Sequence, residues 1–141
     1  MAERGAELLV EVARLFVSLT THDPVEDRLH IEGVVGPDEY HDGYPGTPGG
    51  GLRDNAYTNV LAAWVCRRAL EALDALAGHA RDELAERLAL RVDEPAGWER
   101  LSRRLAVPFH DGIISQFDGW EYLAELDWPR YRAAYGNIGR L

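Results

Sequence analysis

The sequence predicts an all-α chain. Three observations carry that expectation: apolar residues recur at helical spacing in residues 5–21, residues 55–77 keep a helical pattern that is apolar on every side in its first half, and residues 79–91 place acids and arginines at i, i+4 separation. One long connection rich in glycine and proline interrupts the helices.

In chain order, Leu8, Val12, Leu15, Phe16 and Leu19 form one apolar stripe, with Arg4, Glu7, Glu11 and Arg14 mostly on the opposite face. This predicts an amphipathic packing helix without chemistry, closed by Asp23-Pro24 because proline cannot continue the ladder and restricts the residue before it. Residues 22–54 then form a connection, with six prolines and glycines in residues 44–51 alone. Loops beyond about 15 residues are uncommon in compact domains and are usually functional or mobile. In residues 55–77, Val60, Leu61, Trp64 and Val65 predict a helix buried all round, capped by Asp54 or Asn55, with Tyr57 and Asn59 in its first turn facing the connection. Leu84 and Leu88 mark a surface helix over residues 79–91. Asp93-Glu94-Pro95 opens another, running through Trp98, Leu101 and Leu105 to Val107 and stopped by Pro108. A short extended segment near 107–117 and helical fragments at 119–126 and 129–135 follow.

Composition bounds the function. The 141 residues suffice for one domain, and 46% hydrophobic content argues for a globular chain. A net charge of -9 disfavours nucleic acid or an anionic membrane as the main partner. Every basic side chain is arginine, so no lysine serves as a Schiff base or phosphate grip within these residues. Cys66, the single cysteine, excludes an intrachain disulfide and a cysteine metal cluster, and its apolar helical setting reads as a core thiol. No apolar run reaches the roughly 20 residues of a membrane span, and the acidic N-terminus lacks a signal-peptide core. A cytoplasmic, reduced protein is the simplest expectation.

The chemistry gathers on the connection. In Val34 to Asp42, Gly36-Pro37 breaks helix and central strand alike and delivers Asp38, Glu39, Tyr40 and His41 on an irregular loop. Asp54-Asn55-Ala56-Tyr57-Thr58-Asn59 follows and puts amides and hydroxyls where the buried helix begins. Together they predict one polar mouth. The paired histidine and aspartate at 22–23, 41–42 and 110–111 fit no zinc spacing, so no metal is expected. Gly46-Thr47-Pro48-Gly49-Gly50-Gly51 lacks the lysine of a phosphate-cradling loop and reads as a flexible lid or linker.

Gly36-Pro37-Asp38-Glu39-Tyr40-His41, the Asp54 to Asn59 motif, Gln116-Phe117-Asp118-Gly119, Leu126-Asp127-Trp128 and Tyr135-Gly136-Asn137-Ile138 together resemble glycoside hydrolase family 65, inverting phosphorylases of α-glucosyl disaccharides such as trehalose, maltose and kojibiose. The resemblance covers nearly the whole chain. It implies helical hairpins forming part of an (α/α)6 barrel, residues 1–141 being a partial catalytic domain, with Glu39 at the position of the general acid. Asp38, Tyr40, His41, Asn55, Tyr57 and Asn59 become candidates for binding substrate. The implied partners are an α-linked glucosyl disaccharide and inorganic phosphate as co-substrate, with no other cofactor. The upstream tryptophan and aspartate of that family, its downstream lysine and glutamine and its phosphate loop have no counterpart here. The glycine-rich stretch is longer than in many members, which bears on the acceptor sugar.

Such a reaction needs one positioned acid. It protonates the leaving oxygen while a nucleophile attacks the opposite face of the sugar. A hydrolase needs a second carboxylate to activate water, whereas phosphate is already an anion. Glutamic acid titrates near 4.3 when free, so at neutral pH Glu39 needs burial or a nearby anion such as Asp38 or bound phosphate to raise it. Two other readings stay open: a hydrolase of the same architecture, and a non-catalytic helical module that self-associates, as a homodimer, through apolar faces.

Overall fold

Helix α1 (Ala2–Ser18) buries Ala6, Val10 and Ala13, a row of small side chains at i, i+4 and i+7 spacing. The computed structural model describes residues 2–37, 42–47 and 49–136, and in it the row expected to pack is the outer one: Leu8, Leu15 and Leu19 are 64%, 55% and 45% exposed. The small row is chosen because it lets α1 lie close against α2 (Ala56–Ala75), which presents Ala62, Cys66, Ala69 and Leu73 on its buried face. Phe16, Leu9 and Val17 fill the margins of that contact.

Helix α4 (Glu94–Arg104) completes the layer, with Trp98 and Leu101 buried against the same cluster, and α3 (Gly78–Arg87) adds Leu84. Those buried residues are the expected ones, but α3 stops at Arg87 rather than at 91, and α4 stops at Arg104 because Leu105 turns extended, short of the expected end at Val107. The first half of α2 does not follow the predicted pattern: Tyr57, Val60, Leu61 and Trp64 are each at least 40% exposed, so it is buried on one side only. Cys66 sits in the core, where burial pushes the thiol up to about 12 and leaves it without thiolate character.

The described residues are helix-rich but carry two small antiparallel sheets, where the all-helical expectation held only a short extended segment near 107–117. Helix α1 stops at Ser18, and β1 (Thr20–Asp23) pairs with β2 (Arg28–Ile31) inside what reads as helix end and loop. The β-branched Thr20 and Thr21 favour the extended form. Asp23 shapes the turn by accepting from the backbone N–H of Val25 at 2.7 Å and Glu26 at 3.3 Å. The second sheet, β3 (Phe109–His110) with β4 (Ile113–Ile114), realises the extended segment near 107–117. Its two-residue turn has Asp111 and Gly112 both at positive φ, the pairing that matches strand twist. Only one 3₁₀ turn, Trp120–Tyr122, forms where residues 119–126 suggested helix, and α5 (Trp128–Tyr135) is capped by Asp127.

One ion pair ties the helical layer together. The Arg14 Nε donates to Glu94 at 2.6 Å and its Nη2 at 3.0 Å, while Glu94 also accepts from the Arg91 backbone N–H at 3.0 Å. Arg14 reaches further to the carbonyl of Leu88 at 3.0 Å. The guanidinium holds the Glu94 carboxyl below its ordinary range. A depressed carboxylate contributes stability that is complete above its unfolded pKa and is lost as pH falls through the folded value. Glu94→Ala is therefore expected to lower unfolding free energy by about 2 kcal/mol at neutral pH. Urea melts should show the gap between variant and parent closing as pH falls below about 4, the carboxylate range.

Candidate active site

The N-terminus of α2 is where separate parts of the chain meet. Asn55 caps the helix, its Oδ1 accepting from the Thr58 backbone N–H at 3.1 Å and from the Thr58 hydroxyl at 3.1 Å. The Asn55 side-chain amide donates to the carbonyl of Gln116 at 3.3 Å, and the Ala56 N–H donates to the same oxygen at 2.8 Å. Of the two predicted caps, Asn55 takes the role and Asp54 takes another.

Asp54 is 3% exposed and stands at φ 50°, a left-handed backbone that aspartate tolerates better than most residues. Its carboxylate accepts from Nδ1 of His30 at 2.6 Å, from the Ile31 backbone N–H at 3.2 Å and from the Asn59 amide at 3.0 Å. Asn59, fully buried, also donates to the carbonyl of Ala106 at 2.7 Å. One carboxylate thus joins β2, the first turn of α2 and the segment leaving α4.

The loop expected to carry the chemistry is held at both ends beside this point. Val34 and Leu52 exchange backbone hydrogen bonds of 3.3 and 2.7 Å, and the Gly51 N–H donates to the Asp42 carbonyl at 2.8 Å. Gly51 has φ 75°, and a Cβ there would run into the backbone of Gly33, so the two strands cross where only glycine fits. Pro37 then shares a cavity of about 340 Å³ with Asn55, Tyr57, Ile114, Ser115 and Gln116. Asp38, Glu39, Tyr40 and His41 lie outside the described residues. Tyr57 is 59% exposed and lines the cavity, whereas Asn59 is turned inward to Asp54 and Ala106.

Tyr44 and Arg53, which sequence reasoning did not single out, support the same corner together with Phe117 and Asp118 of the Gln116 to Gly119 motif. The Tyr44 hydroxyl donates to the Asp118 carbonyl at 2.8 Å and accepts from the Arg53 N–H at 3.0 Å, and burial pushes its phenol up. Phe117, 2% exposed, meets Tyr44 and Trp120 edge to face. Arg53 stands between Glu32, Asp54 and Asp118 at 3.3–3.6 Å. The sequence signal for Asp54 was its place directly before the cap; nothing in it pointed to His30. Among the described residues one cluster, Asp23, Glu26 and His30, collects metal-ligand types.

Asp54→Ala is expected to cost about 3–5 kcal/mol, because it strands His30, Asn59 and the Ile31 N–H in a buried site. Asp54→Asn keeps the volume and tolerates the positive φ, so its loss should be clearly smaller. Denaturant midpoints decide this, and an alanine variant as stable as the parent would contradict the arrangement.

Comparison with known proteins places the chain. An uncharacterised glycosyl hydrolase of Mycobacterium tuberculosis is 55% identical over 141 residues, covering 100% of this chain and 11% of that protein. The trehalose 6-phosphate phosphorylase of Lactococcus lactis is 30% identical over 148 residues, covering 100% and 17%. The kojibiose phosphorylase of Halothermothrix orenii is 30% identical over 143 residues, covering 98% and 17%. A solved structure described as a kojibiose phosphorylase from the human microbiome superposes with a TM-score of 0.71 at 21% identity, over 89% of this chain and 18% of that one. The chain thus spans less than a fifth of each of these proteins. The model of the glycosyl hydrolase family 65 central catalytic domain matches residues 1–141, and the chain belongs to that family.

Proposed function

We propose that this chain is the part of an inverting glycoside phosphorylase that carries the proton donor, in an enzyme that cleaves an α-glucosyl disaccharide with phosphate to give β-glucose 1-phosphate. The observation that carries the reading is the pinning of the loop: Val34 and Asp42, either side of Glu39, are both bonded to the segment entering α2, beside a cavity lined by Pro37, Asn55 and Tyr57. Glu39 protonates the leaving oxygen, and phosphate supplies the attacking anion. Asp38, Tyr40, His41, Asn55 and Tyr57 shape the sugar site; Asn59 serves it by holding Asp54. Three phosphorylases among the relatives, including a 1,2-alpha-glucosylglycerol phosphorylase, support phosphorolysis over hydrolysis. No helix of the described residues is long and apolar enough to cross a membrane, and a buried single cysteine suits the cytoplasmic setting that completes this reading.

The exposed apolar faces of α1 and α2 support the further reading that these helices are a slice of an (α/α)6 barrel whose neighbouring helices cover Leu8, Leu15, Val60 and Trp64. Without those neighbours the same faces pair two copies. Light scattering of the 141-residue chain should therefore find a dimer, and a strict monomer at high concentration would refute self-association.

The catalytic proposal is tested in the full natural reading frame. Kojibiose, maltose or trehalose 6-phosphate is supplied with and without inorganic phosphate, and glucose 1-phosphate and free glucose are measured. Glu39→Gln should lower kcat by about 10²–10⁴-fold while leaving the circular dichroism spectrum intact. Unchanged turnover would remove Glu39 as the acid, and free glucose formed without phosphate would make the enzyme a hydrolase.

A further inference from the structure

The β1–β2 hairpin carries a cluster that the proposed reaction does not use. Its register sets Thr21 opposite His30 and Asp23 opposite Arg28, so Asp23 and His30 project from one face, and Glu26 joins them from the turn. A ring nitrogen of His30 and one carboxylate oxygen each of Asp23 and Glu26 lie within 4.8 Å of one another.

His30 gives the cluster its direction. The residue is 5% exposed, and its Nδ1 is committed to Asp54 at 2.6 Å. Its Nε2 is buried and has no hydrogen-bond partner among the described residues. A buried polar atom left unpaired is costly and calls for an explanation. With Nδ1 held by Asp54, Nε2 is the ring atom left without a partner, in a residue whose ring lies beside two further carboxylates. A cation bound among these groups would satisfy the buried nitrogen and offset the clustered carboxylates. Asp23 is already oriented for this, since its Oδ1 is held by the N–H groups of Val25 and Glu26 and its Oδ2 is left for a ligand.

We propose that Asp23, Glu26 and His30 bind one divalent cation of the borderline-soft class, with Zn²⁺ as its best representative. A single imidazole with two carboxylates suits zinc better than calcium or magnesium, which take all-oxygen sites. Asp54 is the outer partner on the far nitrogen of the histidine, the arrangement that fixes the tautomer and raises ligand basicity. Ligand atoms at about 2.0–2.2 Å from one tetrahedral ion lie about 3.4 Å apart, so the trio must close by up to about 1.4 Å. The exposed Glu26 side chain is free to make that movement. The adjoining cavity of about 530 Å³ leaves room for water to complete the coordination. Its charged lining sets four acids, Asp23, Glu26, Asp54 and Asp118, against two arginines, Arg28 and Arg53. The ion would clamp the hairpin turn through His30 and Asp54 to the start of α2, the same corner that holds the acidic loop.

The test uses the tag-free 141-residue chain titrated with ZnCl₂ by calorimetry, with Co²⁺ absorption as a spectroscopic check and Ca²⁺ as a competitor. One Zn²⁺ per chain, a raised thermal midpoint and little competition by Ca²⁺ are expected. Glu26→Gln, at an exposed position, should fold normally and weaken Zn²⁺ roughly tenfold or more. His110→Asn, which removes an exposed histidine elsewhere, should change nothing. Absence of saturable binding overturns the proposal. Binding that survives Glu26→Gln, or that disappears with His110→Asn, assigns the ion to surface histidines and overturns it equally.

Discussion

The corner of the molecule that carries the site depends on a buried carboxylate. Asp54 is 3% exposed, and a carboxylate so buried is costly unless paired; His30, Ile31 and Asn59 each direct an N–H at it, with Arg53 at 3.6 Å. Those three donors come from a strand and a helix that neither sequence neighbourhood nor helical periodicity would bring together. Satisfying one anion therefore fixes where β2 lies against α2. Through the second bond of Asn59 to Ala106, it also fixes where the chain leaves α4. A shift of any of these elements by one residue would leave a charge or a donor unpaired.

The helices behind this corner are held by a different physics. Alanine, valine and cysteine line the α1–α2 contact, so the backbones approach closely and the interface is won by dispersion and area rather than by large side chains. Trp98 and Leu101 then supply the bulk from α4. Rigid support of this kind is what the proton donor proposed at Glu39 would require, since a misplaced donor loses much of its effect. The connection that bears Glu39 is bonded beside Val34 and at Asp42 to the segment preceding the cap, and the glycine at 51 allows the crossing that makes this possible.

Charge is also distributed by role. Some exposed acids and arginines pair within a turn of helix, such as Arg67 with Glu71 and Arg103 with Glu99, where each pair contributes little. The half-buried Arg14 to Glu94 pair joins separate helices, and the Asp54 to His30 pair joins hairpin to helix. The acidic excess of the sequence thus resolves into a solvated surface and two structural anions.

Most helices were legible in the sequence, because period and punctuation are local: Trp98 and Leu101 mark the buried face of α4 and the Asp54-Asn55 pair opens α2, although α4 ends at Arg104, short of the expected stop at Pro108. The family was legible too, since the loop and cap motifs retain residue types in order. What sequence could not decide was which of two apolar rows on α1 faces inward, as both have helical period and only the fit against the small face of α2 selects Ala6, Val10 and Ala13. The β1–β2 hairpin was missed for a related reason: four-residue strands carry too little alternation to outweigh an adjacent helix, and their pairing is a long-range choice. Likewise His30 is an unremarkable residue in the sequence. Only folding bonds its Nδ1 to Asp54 and brings its ring within 4.8 Å of carboxylate oxygens of Asp23 and Glu26, because that juxtaposition depends on strand register and on the entry of α2 together.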